Sequence, residues 1–200
     1  ADPALPLRSE MGCGKGGFLA GVALAQPGYN YLGVDIKNEM LVVAKRTIQR
    51  CYAEAGRAED NVRICSPNIE KIGAVLAPED RVERLYINFC NPWYKSGHAK
   101  HRLTHPRQLI QYRRFLREGA AVYFKTDDDP LFRDSLRYFA MTGFEVVWQT
   151  RDLHREEPEW NIRTEHERMF SAEGIPIKAC IAVMRPAALD EENIALMRDV

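Results

Sequence analysis

The sequence lacks the features that mark several classes of protein. It has no apolar run long enough to cross a membrane, no basic and apolar leader at its start, and no internal repeat. Its five cysteines are scattered and contain no C-x-x-C pair. That pattern argues against a disulfide framework or a zinc site, and it favours a reducing, cytoplasmic compartment without a membrane partner.

A net charge is also missing, because 28 Lys and Arg balance 28 Asp and Glu. The balance is uneven along the chain, since no acidic residue occurs from Trp93 to Arg117, a stretch with seven Lys or Arg. Neutralisation of nucleic-acid phosphates is the usual use of such a stretch. A solvated helix face would explain its last arginines, but it explains the loop at 95–102, with Lys100 and Arg102, less well.

Three histidines in the same stretch, His98, His101 and His105, have spacings of three and four. Such spacings occur in metal sites, but no carboxylate or cysteine accompanies these residues. We therefore expect no metal.

Alternating apolar runs and amphipathic stretches predict an α/β fold in one domain, residues 1–200: a doubly wound, mostly parallel sheet with helices on both faces. Residues 186–200 read as a loose tail or an added helix. Predicted strands cover 7–12, 29–36, 61–66, 82–89, 120–127, 144–150 and 176–184. Predicted helices cover 15–26, 38–56, 69–76, 105–119 and 129–143.

The stretch EMGCGKGGF, residues 10–18, joins the first strand to the first helix. Its glycines fit both the G-x-G-x-x-G dinucleotide fingerprint and the E-x-G-x-G-x-G loop of S-adenosylmethionine (SAM) methyltransferases. Asp35 ends the next strand about 20 residues on, a spacing that lets a carboxylate reach ribose hydroxyls. Gly12, Gly14 and Asp35 thus form a nucleoside-binding set on either reading, and a ligand-free tight turn is the alternative.

Glu10 helps to choose between the two cofactors. A pyrophosphate is bound best at a helix N-terminus without negative charge nearby, so Glu10 opposes NAD. The same carboxylate suits the cationic sulfonium and ammonium groups of SAM. The residues therefore favour SAM, although the glycines alone do not decide.

The fourth strand ends in Asn91-Pro92-Trp93, a tripeptide similar to the Asn-Pro-Pro-Tyr tetrad of methyltransferases that act on amino or ring nitrogens. Pro92 favours an extended conformation for Asn91, whose amide can both donate and accept hydrogen bonds. Trp93 suits stacking on a base, worth roughly 1–3 kcal/mol in nucleic-acid sites. A turn after a buried strand, with Trp93 in the core, explains the tripeptide equally well.

Taken together, these stretches resemble the bacterial tRNA (guanine-N7-)-methyltransferases, over nearly the whole chain from Leu7 to Val183. The resemblance implies a class I methyltransferase fold, SAM as cofactor, tRNA as partner and formation of m7G in the variable loop. The segments that carry it are EMGCGKGGF, YLGVDIK, INFCNPWYKSGHAKHRLTHP, FKTDDDPLF, DLH and NIRTEHERMFSAEGIPI.

The resemblance also implies roles for individual residues. The cofactor-binding positions are Glu10, Gly12, Gly14, Asp35, Asn68 and Asn91, with Asn68 beside the adenine and Asn91 also at the catalytic position. The substrate-binding positions are Lys95, Asp127, Thr164, Glu165, His166 and Glu167. Lys100 and Arg102 are expected to contact tRNA phosphates.

The sequence departs from the family pattern Asn-Phe-x-Asp-Pro-Trp-Pro-Lys. Asn91 replaces the Asp, Tyr94 replaces the second Pro, and His101 stands where Arg is usual. Family members usually carry some tens of residues before the first strand, so we expect the start to be truncated. Asn91 and this short start motivate a second hypothesis, a non-catalytic tRNA- or SAM-binding relative. An NAD-dependent oxidoreductase is a third, and the choice between monomer and homodimer stays open.

Guanine N7 has a lone pair and no proton, so its methylation requires no general base. The enzyme mainly has to align N7 with the methyl group, an effect worth up to roughly 7–11 kcal/mol in well-oriented systems. We therefore expect Asn91 to position guanine in an active enzyme. Asp127 and Glu167 are the expected acceptors for the guanine N1–H and 2-amino group.

Overall fold

The computed structural model describes residues 2–186 and contains one seven-stranded sheet. The strands are β1 Leu7–Met11, β2 Asn30–Val34, β3 Val62–Cys65, β4 Val82–Asn88, β5 Leu116–Thr126, β6 Phe144–Thr150 and β7 Lys178–Met184. Their order in the sheet is β3-β2-β1-β4-β5-β7-β6. Strand β7 runs antiparallel to both of its neighbours, and the other neighbouring pairs are parallel. The predicted mostly parallel sheet is confirmed.

Helices cover both faces of the sheet, as the alternation of strands and helices predicts. The α-helices are α1 Gly17–Ala25, α2 Asn38–Glu54, α3 Pro106–Tyr112, α4 Asp129–Met141 and α5 Glu165–Ala172. Short 3₁₀ turns cover Ile69–Ala74, Pro78–Asp80 and Ser96–His101. Successive side chains of a strand point to opposite faces, and in β5 Phe124 joins the cluster around α3 and α4, whereas Tyr123 contacts the cluster around α1 and α2.

The predicted helix 105–119 is wrong in its second half. Helix α3 ends at Tyr112, and the chain turns so that the Phe115 carbonyl accepts a hydrogen bond from the Val82 N–H at 2.8 Å. Leu116 then pairs with Val82 as the start of β5. Gly119, which resembled a helix stop, has φ +74° and lies where the β4–β5 register shifts. Pairing with β4 thus overrides the helical pattern of apolar residues.

Within residues 2–186, no helix is both long and apolar enough to span a membrane. The predicted tail at 186–200 lies, except for Pro186, outside the described residues.

Candidate functional site

A cavity of about 930 Å³ opens at the carboxyl ends of β1, β2 and β4. The strand order reverses between β1 and β4, and ligands of doubly wound sheets bind at such a switch point. The volume lies near the upper end of the range for small-molecule sites, roughly 300–1,000 Å³. The structure brings all six predicted cofactor-binding residues to its wall: Glu10, Gly12, Gly14, Asp35, Asn68 and Asn91.

The glycine loop is fixed to the end of β2 by hydrogen bonds. The Gly12 N–H donates to the Val34 carbonyl at 2.7 Å, and the Gly14 N–H donates to Asp35 Oδ2 at 2.9 Å. Both glycines have positive φ, +80° and +50°, which side chains with a Cβ rarely adopt. The Lys37 N–H donates to the other Asp35 oxygen at 2.9 Å. Asp35 is therefore held rigidly, and each of its oxygens keeps lone-pair capacity for a ribose hydroxyl.

Glu10 lies beneath this loop and is only 2% exposed. Its Oε1 accepts a hydrogen bond from Asn88 Nδ2 at 2.9 Å, whereas its Oε2 and the Asn88 Oδ1 are buried without a partner. Burial raises the pKa of Glu10 to about 7, against the hydrogen bond from Asn88 and the charge of Lys125. Both residues line the cavity.

These two unpaired acceptors test which cofactor fits. A buried acceptor without a donor costs free energy, and a cationic ligand that donates hydrogen bonds removes that cost. The ammonium group of SAM can donate to Glu10 and Asn88, and its sulfonium adds a positive charge that suits the Glu10 carboxylate, whereas the pyrophosphate of NAD offers neither a donor nor a positive charge.

Two side-chain contacts with carboxylates lie at the rim of the cavity. His101 Nδ1 lies 2.7 Å from Glu70 Oε1, and Lys15 Nζ lies 3.0 Å from Glu165 Oε1. Asn68, predicted to lie beside the adenine, caps the 3₁₀ turn that carries Glu70 by accepting a hydrogen bond from the Glu70 N–H at 3.0 Å. Lys15, which had no role in the sequence, thus joins the glycine loop to α5.

The segment after β4 is sharply bent. Phe89 and Trp93 have φ values of +50° and +46°, a left-handed conformation that is uncommon outside glycine and often marks functional sites. Trp93 is half-buried and lines the cavity, so it is not a core residue. Its ring lies 5.7 Å from the ring of His98 and 5.4 Å from that of His101. The bend therefore presents Asn91 and Trp93 to the ligand space.

Arg102 does not have the predicted place on the surface. It is buried, with Nη1 2.8 Å from Asp134 Oδ2 and Nε donating to the Pro92 carbonyl at 2.7 Å. Arg102 therefore holds the bent segment in place, and its guanidinium is unavailable to a phosphate. Lys95 and Lys100 are exposed, as phosphate or substrate contacts require.

The segment Thr164–Glu167 forms the start of α5, a helix that the sequence analysis did not predict. Thr164 Oγ1 accepts a hydrogen bond from the Glu167 N–H at 2.9 Å, and Glu167 Oε2 accepts one from the Thr164 N–H at 3.2 Å. This T-x-x-E pattern is a capping box, and it was the sequence signal that could have predicted the start of the helix. Thr164, Glu165 and His166 line the cavity, whereas Asp127 does not.

Glu167 itself is fully buried, which corrects its expected contact with guanine. Its Oε2 lies 2.6 Å from Lys125 Nζ, and its Oε1 lies 2.8 Å from His154 Nε2. Burial opposes its ionisation, but Lys125, Asn161 and His154 outweigh burial and hold its pKa below the usual value. Sequence reasoning also missed Lys125 and Asn88, although a lysine and an asparagine in strongly apolar strands were a visible signal.

Among the described residues, one group of potential metal ligands lies together: His154, Glu157 and Glu167, with ligand atoms within 4.8 Å of one another. Lys125 and Arg163 already form ion pairs with the two carboxylates, and Asn161 Nδ2 lies 2.7 Å from an oxygen of each. We assign no metal to this group because its charge is compensated. His98 and His101 lie near each other, but His105 is buried, where its Nδ1 caps α3.

Comparison with solved structures supports the fold. A 16S rRNA (adenine(1408)-N(1))-methyltransferase from Catenulisporales acidiphilia, crystallised with SAM as cosubstrate, has a TM-score of 0.63 at 16% identity, covering 92% of this chain and 87% of that one. The 16S rRNA methyltransferase KamB has a TM-score of 0.64 at 16% identity, with 90% and 88% coverage. The fold is therefore that of class I SAM-dependent methyltransferases.

Sequence comparison is more specific. A family model described as "Putative methyltransferase" matches residues 5–180. A tRNA (guanine-N(7)-)-methyltransferase of Clostridium perfringens is 52% identical over 177 residues, 88% of this chain and 81% of that protein. Another, from Ruminiclostridium cellulolyticum, is 50% identical over 182 residues, 90% of this chain and 77% of that protein. With this identity over most of its length, the chain belongs to the tRNA (guanine-N(7)-)-methyltransferase family.

Proposed function

We propose that this protein transfers a methyl group from SAM to N7 of a guanine in the variable loop of tRNA. The observation that carries the proposal is one cavity that joins the unpaired acceptors of Glu10 and Asn88 to the bent Asn91-Pro92-Trp93 segment. The two acceptors fit a cationic cofactor. The bent segment offers the amide of Asn91 and the indole of Trp93 to a nucleobase.

SAM, when bound, supplies a methyl carbon that is electrophilic because it is attached to a sulfonium. The N7 lone pair of guanine attacks that carbon, the S–C bond breaks, and its electron pair stays on sulfur. No proton leaves N7, so the reaction requires no general base. The protein contributes placement, with Asp35 directed at the ribose of the cofactor and Trp93 at the base.

Four of the substrate contacts that remain in the proposal have exposed side chains. Lys95 and Lys100 supply charge for tRNA phosphates, while Glu165 and His166 supply polar contacts at the rim. Thr164 contributes by capping α5. Asp127, which follows directly after β5, stays in the proposal as an acceptor for the guanine N1–H and 2-amino group. Glu167 and Arg102 are left out because both side chains are buried in ion pairs. The five cysteines are unpaired, which suits action in the reducing cytoplasm.

The direct test is transfer of tritium from methyl-labelled SAM to unmodified tRNA, followed by mapping of m7G by borohydride and aniline cleavage. We expect label in tRNA and one cleavage site in the variable loop. Asp35→Ala is the matched variant, and it should lose transfer together with SAM binding measured by calorimetry. SAM binding without transfer would favour the non-catalytic relative, and cleavage elsewhere in tRNA would overturn the proposed position.

A further inference from the structure

The orientation of the Asn91 amide is fixed by its own turn. Asn91 Oδ1 accepts a hydrogen bond from the Trp93 N–H at 3.1 Å. A backbone N–H requires an acceptor, and the amide nitrogen of asparagine is a donor only. The oxygen therefore faces the turn, and Nδ2 points away from it.

The Asn91 Nδ2 group remains available to a ligand. Asn91 is exposed and lines the cavity, and among residues 2–186 its amide nitrogen donates no hydrogen bond. The Arg102 guanidinium holds the next two carbonyls, those of Pro92 and Trp93, at 2.7 and 3.4 Å. The donor is thus carried on a fixed segment, which lowers the entropy lost when it binds a partner.

Guanine presents an acceptor where this donor can act. On the edge that carries N7, guanine has O6, whereas adenine has an N6 amino donor at the same place. A base whose N7 faces the methyl group therefore also brings O6 or N6 to the same end of the cavity. A fixed donor at that end pairs with guanine and opposes adenine.

We propose that Asn91 selects guanine by donating a hydrogen bond from Nδ2 to O6. This inference rests on the proposed function and specifies how the site recognises its base. The contact acts by orientation, since a donor on O6 does not stabilise the positive charge that develops on the purine. Asn91 is accordingly a specificity-determining residue, and its carbonyl serves the turn rather than the reaction.

The test pairs removal of the donor with removal of O6. Transfer is measured on tRNA ligated from two fragments, with guanosine, 2-aminopurine, which lacks O6, or inosine, which keeps it, at the mapped position. The wild-type protein should lose about tenfold or more in kcat/KM with 2-aminopurine, and less with inosine. Asn91→Ala should lose about as much on guanosine and lose little further when O6 is absent.

Asn91→Asp distinguishes loss of the Nδ2 donor from loss of the hydrogen bond that holds the turn. It keeps an oxygen for the Trp93 N–H but has no N–H to donate, so it should be as insensitive to O6 as Asn91→Ala. Any intrinsic effect of 2-aminopurine on N7 cancels in the ratio between proteins. Equal sensitivity to O6 in all three proteins would overturn the inference, as would a tenfold weaker SAM affinity in Asn91→Ala as its main effect. If wild-type protein methylates no guanosine, the proposed function itself fails.

Discussion

Lys125 and Glu167 form a buried ion pair, with Nζ and Oε2 2.6 Å apart and side-chain exposures of 4% and 0%. The ammonium also donates to Asn161 Oδ1 and to the Ile162 carbonyl, each at 3.0 Å, so its three donors are all used. Lys125 is the β5 residue paired with Asn88 of β4, the partner of Glu10. The pair therefore ties α5 to the strands that form the cofactor site.

Breaking this pair should destabilise the protein strongly. Lys125→Met leaves the Glu167 carboxylate buried without its cation, a change that typically costs about 3–5 kcal/mol. We expect a loss of that size in the free energy of unfolding, measured by urea denaturation at pH 7. Lys125→Met combined with Glu167→Leu should recover much of it, because no uncompensated charge remains.

Glu145→Ala is the matched control for that measurement. It removes an ion pair with Arg185 in which the two side chains are 59% and 49% exposed, and such pairs contribute about 1 kcal/mol or less. If Lys125→Met is as mild as this control, the buried pair does not anchor α5.

The capping box of α5 gives a second prediction. Thr164→Ala removes the oxygen that accepts the Glu167 N–H, a loss that costs about 0.5–2 kcal/mol at helix N-termini. Thr164→Ser keeps the oxygen and should preserve the free energy of unfolding. Both are measured by thermal and urea unfolding, together with KM for tRNA. A Thr164→Ala protein as stable as wild type would contradict the capping role, and an equal rise of KM for tRNA in Thr164→Ser and Thr164→Ala would show that the Thr164 methyl group contacts substrate.

The sequence predicted the sheet and most strands because strand periodicity and glycine or proline stops are local signals. It also predicted the glycine loop with Asp35, since those residues lie near one another in the chain. The end of α3 was missed because Leu116 fits a helix face and a strand equally well, and pairing with the distant Val82 decides between them.

Burial explains the site residues that the sequence misjudged. Arg102 and Glu167 belong to segments that suggest binding, and their charges look available in a linear reading. Each is instead paired across the fold, Arg102 with Asp134 and Glu167 with Lys125. Partners 32 to 42 positions away in the chain leave no local signal that marks a charge as internal.

Lys100 and Arg102 should respond differently to substitution, although they are two positions apart. Lys100→Ala should weaken tRNA binding without changing stability, and it should reduce the slope of log K against log[salt] by about 1, because one phosphate contact is lost. Arg102→Met should instead lower the free energy of unfolding, since it leaves Asp134 and the Pro92 carbonyl without their donor. Filter binding at several salt concentrations and urea unfolding distinguish the two effects. A stable Arg102→Met protein with a reduced salt slope would restore Arg102 as a phosphate contact.

Glu10 should make both stability and cofactor affinity depend on pH. Burial raises its pKa in the folded, ligand-free protein to about 7 from its ordinary value of about 4.5, so between these values the folded state binds more protons than the unfolded state. Stability therefore falls as pH rises through that window, by on the order of 3 kcal/mol. Glu10→Gln lacks this titration, so its stability relative to wild type should improve from pH 4.5 to 7 in urea unfolding.

Binding of SAM should show the opposite trend, because a cationic ligand favours the ionised Glu10. Affinity measured by calorimetry should rise about tenfold per pH unit between pH 5.5 and the pKa of about 7, and then level off. Glu10→Gln should bind SAM weakly and with little dependence on pH over the same range. A Glu10→Gln protein that keeps the wild-type slope would show that another group carries the titration. The two trends share one cause, since the carboxylate that is costly to bury in the empty site is stabilised by the charge of the cofactor.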